Sequence, residues 1–425
     1  MRNWKLEWKP LSVASANRAA KVIAKGFQGL THRRGPGSLK ANDEYLFGHF
    51  ETFLRFSQAE PHITHVGPAS LRIVALSARK AGMRVLQVDN MQIRRYGRVR
   101  VSPERTLFNG LIRANFKAEI FSDRDIAQFD APFRIKPLGR AAANRRLLEM
   151  CENFRPEVLL VGHADIITNE TLTRVRGILP GVRIGLRNVD PLFDDANVAA
   201  IRARMDVVDG IFVTTSGDPL KQFLTPNNFV AYIPNATDPA VEDQDNSAKD
   251  AFDWDLVFCG VGNETDTRYT LVKELHAALA GQDIRFASFG MHGFPSIWGR
   301  KYEDLLETSK MGLSLNRFEG WPLYSSDRIA QLMGNGILAF VSAESGLQKY
   351  FSEDMLAFFT DKDDLAAKVL AFNNDDARRK AVASKGRAFY HEHFSAERIS
   401  SFMVEALTGS PYSHDYIWAD QVFRA

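Results

Sequence analysis

Beyond about His62 the chain alternates short apolar runs with longer stretches whose apolar positions recur every three or four residues. That alternation predicts strand and helix in turn, wound as βαβ units around parallel sheets. His62–Val66 reads as a strand, Gly67-Pro68 as a turn, and Ala69–Ala81 as a helix. Further strands are predicted over Arg84–Val88, Ala118–Phe121, Glu157–Val161, Val182–Leu186, Gly210–Val213 and Phe229–Ile233. Each ends in polar residues, among them Asp89-Asn90, Ser122-Asp123, Gly162-His163-Ala164-Asp165, Arg187-Asn188 and Pro234-Asn235. In open parallel sheets ligands bind beyond the carboxyl ends of strands, so these polar tips are candidate chemistry.

Asp238–Asp250 is acidic and aperiodic and reads as a linker, after which the pattern restarts. Strands are predicted at Asp255–Phe258, Ile284–Phe289, Gly312–Leu315, Ile337–Val341 and Leu356–Phe359, with helices from Thr267, over Tyr302–Lys310 and from Ser325-Ser326-Asp327-Arg328 to a stop at Gly336. Capping residues at Thr360–Asp363 and before Glu397 start the late helices. The expected fold is α/β: two Rossmann-like domains facing across a cleft, with a basic amino-terminal extension. The expected bounds are extension 1–55, a first Rossmann-like domain 56–238, linker 239–252, a second Rossmann-like domain 253–408, and a closing segment 409–425.

Length and composition narrow the class. At 425 residues, with 45% apolar and 25% charged positions, two ordinary globular domains are affordable. A formal charge of +3 gives no general case for nucleic acid, but the excess is uneven. Nine basic residues against the single acid Glu7 occupy the first forty positions, and Arg94, Arg95, Arg98, Arg100, Arg105 and Arg113 form a second cluster. Such patches favour anionic membrane surfaces, and the weakly amphipathic Ala14–Leu30 is the segment that would lie there. No apolar run approaches a membrane span, the amino terminus lacks a secretory core, and Cys151 and Cys259 are far apart without metal-ligand spacing. A cytoplasmic protein, possible at the inner membrane face, is the expectation.

The candidate chemistry lies in three places. Gly260-Val261-Gly262 leads into a helix carrying Arg268 in its first turn, where backbone N–H groups and a guanidinium suit a phosphate. Asn316-Arg317-Phe318-Glu319-Gly320-Trp321-Pro322-Leu323 links a strand to the helix Arg328–Gly336. In the first half, His163 and Asp165 follow a strongly apolar strand, so that an imidazole oriented by a carboxylate would take a hydroxyl proton. Asp123 and Asp190 are rivals for that role, and Asn235 would touch a ligand from between the domains.

The strand, loop, helix and glycine step from Met311 to Gly336 resembles the group 1 glycosyltransferases of GT-B fold, and especially their branch similar to CgeB-like spore-maturation proteins. Over Asp255–Leu407 the resemblance extends to Gly346–Phe351, Asp363–Leu365 and Arg387–Phe394. It implies a nucleotide-sugar donor held by the domain 253–408, an acceptor on the side of the domain 56–238, a last helix over 409–425 returning to the first domain, no cofactor and no metal. Arg268, Gly260, Gly262, Asn316, Arg317, Ser326 and Arg328 would then bind the donor, with Glu319 near the transferred sugar. Gln331 stands where the family's ribose-binding Glu would be. A second register pairs Glu319 with Asp327 at the family's usual interval but shifts the glycine step. The acceptor would be a glycan, a lipid-linked sugar or a protein, with the chain working in surface-glycan synthesis. Metal-dependent transferases using Asp-x-Asp are a rival class, but Asp123–Asp125, Asp243–Asp245, Asp253–Asp255 and Asp361–Asp363 all match so short a pattern. The same scaffold would also serve a sugar-nucleotide epimerase, or a two-lobed protein that binds a sugar or nucleotide without reacting.

Overall fold

The structure is a computed structural model and describes residues 82–425. The predicted strand at His62–Val66, the helix at Ala69–Ala81 and the basic extension lie outside the described residues.

Two parallel sheets carry the chain. The first contains β1 (Arg84–Asp89), β2 (Lys117–Ser122), β3 (Val158–Val161), β4 (Arg183–Asn188), β5 (Gly210–Val213), β6 (Phe229–Tyr232) and the final strand β12 (Val422–Arg424), in the order β12-β6-β5-β4-β3-β1-β2. The second contains β7 (Trp254–Cys259), β8 (Phe286–Phe289), β9 (Ser309–Ser314), β10 (Leu338–Ser342) and β11 (Ala357–Phe359), in the order β11-β10-β9-β7-β8. All pairings are parallel except that of β12 on β6. The reason is visible in β3 (VLLV) and β5 (GIFV), which are buried at every position. Strands covered on both faces need apolar residues throughout and helical crossovers.

Each sheet reverses its strand order once. In the first, β1 is flanked by β2 and β3; in the second, β7 is flanked by β8 and β9. At such switch points the flanking loops diverge to opposite faces and leave a crevice at the carboxyl ends. The crevices therefore open beside Asp89 and His163 on one side, and beside Gly260 and Asn316 on the other.

The two halves are packed together. Asp238–Asp250, expected as a linker, is a packed strap rather than a solvated one. Asp238, Glu242 and Asn246 are buried, Asn246 Nδ2 donates to the carbonyls of Leu306 (2.7 Å) and Ser309 (2.8 Å), and Arg113 holds both oxygens of Asp238 at 2.7 and 3.0 Å. The outgoing and returning chains touch where Thr237 N donates to Phe394 O and Ala396 N donates to Thr237 O.

The return to the first half is made earlier than expected, by the helix Ala396–Thr408, capped by Ser395 and ten of its thirteen residues buried. It lies against the helix Pro103–Arg113, where a Cβ on Gly110 would sit 2.1 Å from Ala396 O. The expected last helix over 409–425 does not form: Ala419–Gln421 is a short 3-10 turn and β12 follows it. Phe423 pairs with Val230 on the open edge of β6, and Trp418 is fully buried against Phe394 and Phe402. A few apolar positions fit either a helix face or an edge strand, and the unpaired edge of β6 decides between them.

Candidate active site

At the second switch point one side chain ties the crevice together. Arg328 opens the helix Arg328–Gly334; its Nε donates to Cys259 O (2.8 Å) at the end of β7, and its Nη1 donates to Leu315 O (3.0 Å) beyond β9 and to Ser326 Oγ (2.7 Å). Its guanidinium lies over the Phe258 ring at 4.7 Å. A Cβ on Gly260 would meet Arg328 Nη2 at 3.0 Å, so a side chain there would crowd the guanidinium. Arg268, second residue of the helix Thr267–Ala278, donates to Val261 O at 2.5 Å and leaves its buried Nε without a partner. Burial, then the neighbouring charges of Arg328 and Arg317, lower its pKa to about 10. Crowded cations with unspent N–H groups constitute a site that an anion would stabilise.

The loop after β9 is shaped by Glu319. Its two carboxylate oxygens accept from Asn316 N (2.9 Å) and Asn316 Nδ2 (3.0 Å), while Asn316 Oδ1 accepts from Ser326 N (3.1 Å). Burial raises the Glu319 pKa despite those bonds. The Arg317 carbonyl accepts from Thr267 N and Oγ1 (3.2 and 2.7 Å), which leaves its exposed side chain beside the glycine turn.

Gln331 corrects an expectation. Its amide donates to Asp327 Oδ2 (2.6 Å) and its carbonyl accepts from the Tyr302 hydroxyl, so both ends are engaged within the protein. The atom left open on this helix turn is Asp327 Oδ1, which accepts nothing among the described residues. Burial, then the Glu104 charge across the cleft, raises the Asp327 pKa to about 6. The register pairing Glu319 with Asp327 therefore describes the open positions better than the one ending at Gln331.

At the first switch point the expected histidine–aspartate pair is also corrected. His163 N donates to Asp89 Oδ1 (2.8 Å), its Nδ1 lies 3.3 Å from Glu104 Oε1, and its Nε2 lies 3.1 Å from Asp190 Oδ2, an ion-pair contact not aligned as a hydrogen bond. Asp165 instead accepts from Arg124 Nε (2.6 Å), because the turn after Gly162 sends residues 163 and 165 in opposite directions. A Cβ on Gly162 would fall 2.1 Å from Asp89 Oδ2, so only glycine lets β3 end against that carboxylate. Asp190 and Glu104 raise the His163 pKa to about 10. Two carboxylates against the ring favour the imidazolium, the form that has no free lone pair to accept a proton.

Sequence reasoning missed Glu104 and Gln87, and named Arg187 only as one polar strand end among several. Arg187 Nη2 lies 3.3 Å from Asp89 Oδ2 and 3.8 Å from Glu104 Oε1, and Gln87 Nε2 donates to Asp89 Oδ2 (3.2 Å) and Glu104 O (2.9 Å). The one available signal was polar residues inside or directly after otherwise apolar strands: Gln87, Asp89 and Arg187. Glu104 gave no signal, since an acid in the first turn of a helix is ordinary. Against its burial, His163 and Arg187 lower the Glu104 pKa to about 2.

Asp123 is a buried support: it accepts from Arg124 N (2.6 Å) and Ile166 N (3.1 Å), and burial raises its pKa to about 6. Asp125 accepts from Ile93 N and Ser122 Oγ, so the Asp123–Asp125 pair is spent on structure. Asn235 joins the halves, donating to Ser325 O (2.8 Å) and Oγ (3.2 Å) while its carbonyl accepts from the Tyr390 hydroxyl (2.9 Å). Among the described residues no group of three or more His, Cys, Asp or Glu is arranged to hold a metal ion.

The two crevices face each other. Phe193, on the loop after β4, packs edge-on against Phe318 (5.1 Å), Trp321 (5.8 Å) and Tyr324 (5.9 Å) of the loop after β9. Tyr324 feels the charges of Asp190, Arg328, Arg268 and Arg317 together. A hollow of about 780 Å³ lies at the opposite edge of the first sheet, lined by Arg84, Arg155 and Arg183, with none of the crevice groups lining it.

Residues 268–405 match the protein family described as glycosyl transferase-like. The C-terminal half thus carries a glycosyl transferase-like domain, and it is one of two Rossmann-like domains that face each other across a cleft. Among solved structures, HepE of Anabaena in complex with UDP and glucose is similar at 13% identity over 77% of this chain and 100% of that one (TM-score 0.47). Sucrose-phosphate synthase from Thermosynechococcus elongatus is similar at 12% over 76% and 98% (TM-score 0.49), and OtsA in its apo form at 12% over 76% and 99% (TM-score 0.47). No curated protein sequence matches the chain.

Proposed function

We propose that this glycosyltransferase moves a sugar from a nucleoside-diphosphate donor to a hydroxyl acceptor, within the branch of group 1 enzymes similar to CgeB-like proteins. The observation that carries the reading is the cationic switch point: Arg328 spans β7 and β9 with Arg268 and Arg317 beside it, on the one segment matched by the glycosyltransferase family. The diphosphate sits on the Gly260–Gly262 turn against Arg268 and Arg328 Nη2, and Asp327 Oδ1, set by Gln331, takes the ribose hydroxyls. Glu319 positions Asn316 and Ser326 rather than meeting the sugar first. The acceptor hydroxyl attacks the anomeric carbon as the bond to the diphosphate breaks, and the electron pair leaves on the diphosphate. Cationic groups fixed where that charge develops supply the main stabilisation. Asp190, half exposed to the cleft and kept ionised by the imidazolium, receives the proton in place of His163.

The acceptor is a glycan, a lipid-linked sugar or a protein, and the setting is the cytoplasm or its membrane face. No described helix is long and apolar enough to cross a membrane, and Cys151 and Cys259 are both free thiols. Release of nucleoside diphosphate from UDP-, GDP- and ADP-glucose, with and without hydroxyl acceptors and in excess chelator, tests the reading. Donor binding weakened tenfold or more, with acceptor-dependent release falling alongside it, is expected in Arg268→Ala and Asp327→Asn. Binding unchanged in both variants, or activity abolished by chelation, would overturn it.

A further inference from the structure

Six of the eleven large apolar side chains exposed among the described residues fall in two turns: Ile93 and Tyr96 in one, Phe129, Phe133, Ile135 and Leu138 in the other. Tyr96 is 91% exposed and Phe133 93%. Both have left-handed backbones, at φ 50° and 56°, a conformation uncommon for a bulky residue, and neither recovers that cost by packing.

The turns flank one helix, Asp123–Phe129. Asp125 at its start accepts from Ile93 N (2.8 Å), and the chain at Gly139 crosses it so closely that a Cβ there would lie 1.7 Å from Ala127 O. Around the apolar tips stand Arg95, Arg98, Arg134, Lys136 and Arg140, none paired with a carboxylate among the described residues, while the local acid Asp130 is held by Arg146 (3.1 Å). Of the basic cluster to which Arg95 and Arg98 belong, Arg113, Arg100 and Arg94 are taken up by contacts to Asp238, Glu303 and Asp125. The face reaches the other half of the molecule, with Arg98 6.0 Å over the ring of Trp298, itself 50% exposed. It therefore borders the mouth of the cleft.

We propose that these two turns form a docking face for an anionic lipid bilayer, seating the cleft at the headgroups. Protruding aromatic and aliphatic tips ringed by unpaired cations suit the interface, where the apolar groups insert and the cations meet acidic headgroups. Ile93, Ile135 and Leu138 would have no partner on a nucleic-acid backbone, which needs cations and stacking rings.

The test is flotation of the full chain with vesicles of phosphatidylcholine alone or mixed with phosphatidylglycerol, at low and high salt, using two double variants. The protein should float with the anionic vesicles only, and less at high salt. Since a basic residue near an acidic surface contributes about fivefold, Arg134→Gln/Lys136→Gln should weaken partition about 25-fold. Tyr96→Ser/Phe133→Ser should weaken it at least tenfold. All four positions are on the surface, so both variants should keep the parent's unfolding midpoint and donor binding. Equal flotation of the variants, equal binding to neutral vesicles, or duplex DNA competing as well as lipid would overturn the assignment. Because no donor is involved, such a failure leaves the transfer reading untouched.

Discussion

The clearest consequence of the first crevice is a histidine that does not titrate near neutrality. Asp89, Glu104 and Asp190 surround His163 and Arg187, so a neutral ring would leave three carboxylates facing one cation in a mostly buried place. Replacing His163 by Gln keeps the shape and removes the charge. Breaking a buried ion pair costs ~3–5 kcal/mol. Glu104 is buried but Asp190 is 54% exposed, and screening of that second contact brings the expected loss to about 2–3 kcal/mol.

The pH dependence has a definite sign. A His pKa raised from 6.5 to about 10 by folding contributes stability that is complete below pH 6.5 and fades as pH rises towards 10. Glu104, lowered from 4.5 to about 2, contributes stability that is complete above pH 4.5 and is lost on acidification towards 2. The gap between the parent and His163→Gln should therefore be widest between pH 4.5 and 6.5 and narrow by pH 9. Urea unfolding at pH 5.5, 7 and 9 measures that gap, and long-range proton–nitrogen NMR of the ring reads its charge directly. A ring titrating near 6.5, or a gap that widens with pH, would refute the clamp.

Other consequences follow from single contacts. Arg268→Ala should weaken nucleoside-diphosphate binding about tenfold to a hundredfold, the range of a charge-assisted contact, with no change in the unfolding midpoint of the free protein; isothermal titration checks both the size and the selectivity for the diphosphate. Gln331→Glu, nominally restoring the family residue, should weaken donor binding instead, because the new carboxylate would stand where the amide now donates to Asp327 at 2.6 Å; tighter binding in that variant would restore the Gln331 register. Gly336→Ala should destabilise by about 1–3 kcal/mol in urea unfolding, since its φ is +69° and the new methyl would meet Asp245 Oδ1 at 3.0 Å.

The resemblance to group 1 glycosyltransferases pointed to the C-terminal half, where the glycosyl transferase-like match falls, because its cues are local: a glycine turn after an apolar strand, an arginine in the next helix, and a loop, helix and glycine step within some two dozen residues. Local cues leave open which way a side chain points. Gln331 occupies the family position, yet a hydroxyl from Tyr302 and a carboxylate one turn earlier consume its amide, and neither contact can be read from spacing. In the first half of the chain His163 was visible as a polar residue at a strand end, but its partners come from the helix after β1 and the loop after β4, brought together only by strand order.

Short apolar runs set between stretches of helical periodicity were enough to predict two parallel sheets and most strand positions, because burial on both faces demands apolar residues along the whole strand. Which strands lie side by side is a property of the assembled sheet, and so is everything that depends on it. The reversal beside β1 places Glu104 and Arg187 on His163, the reversal beside β7 gives Arg328 two strand ends to bridge, and the vacant edge of β6 turns the last residues into a strand. Those assignments rest on contacts between residues far apart in the chain, where periodicity carries no information.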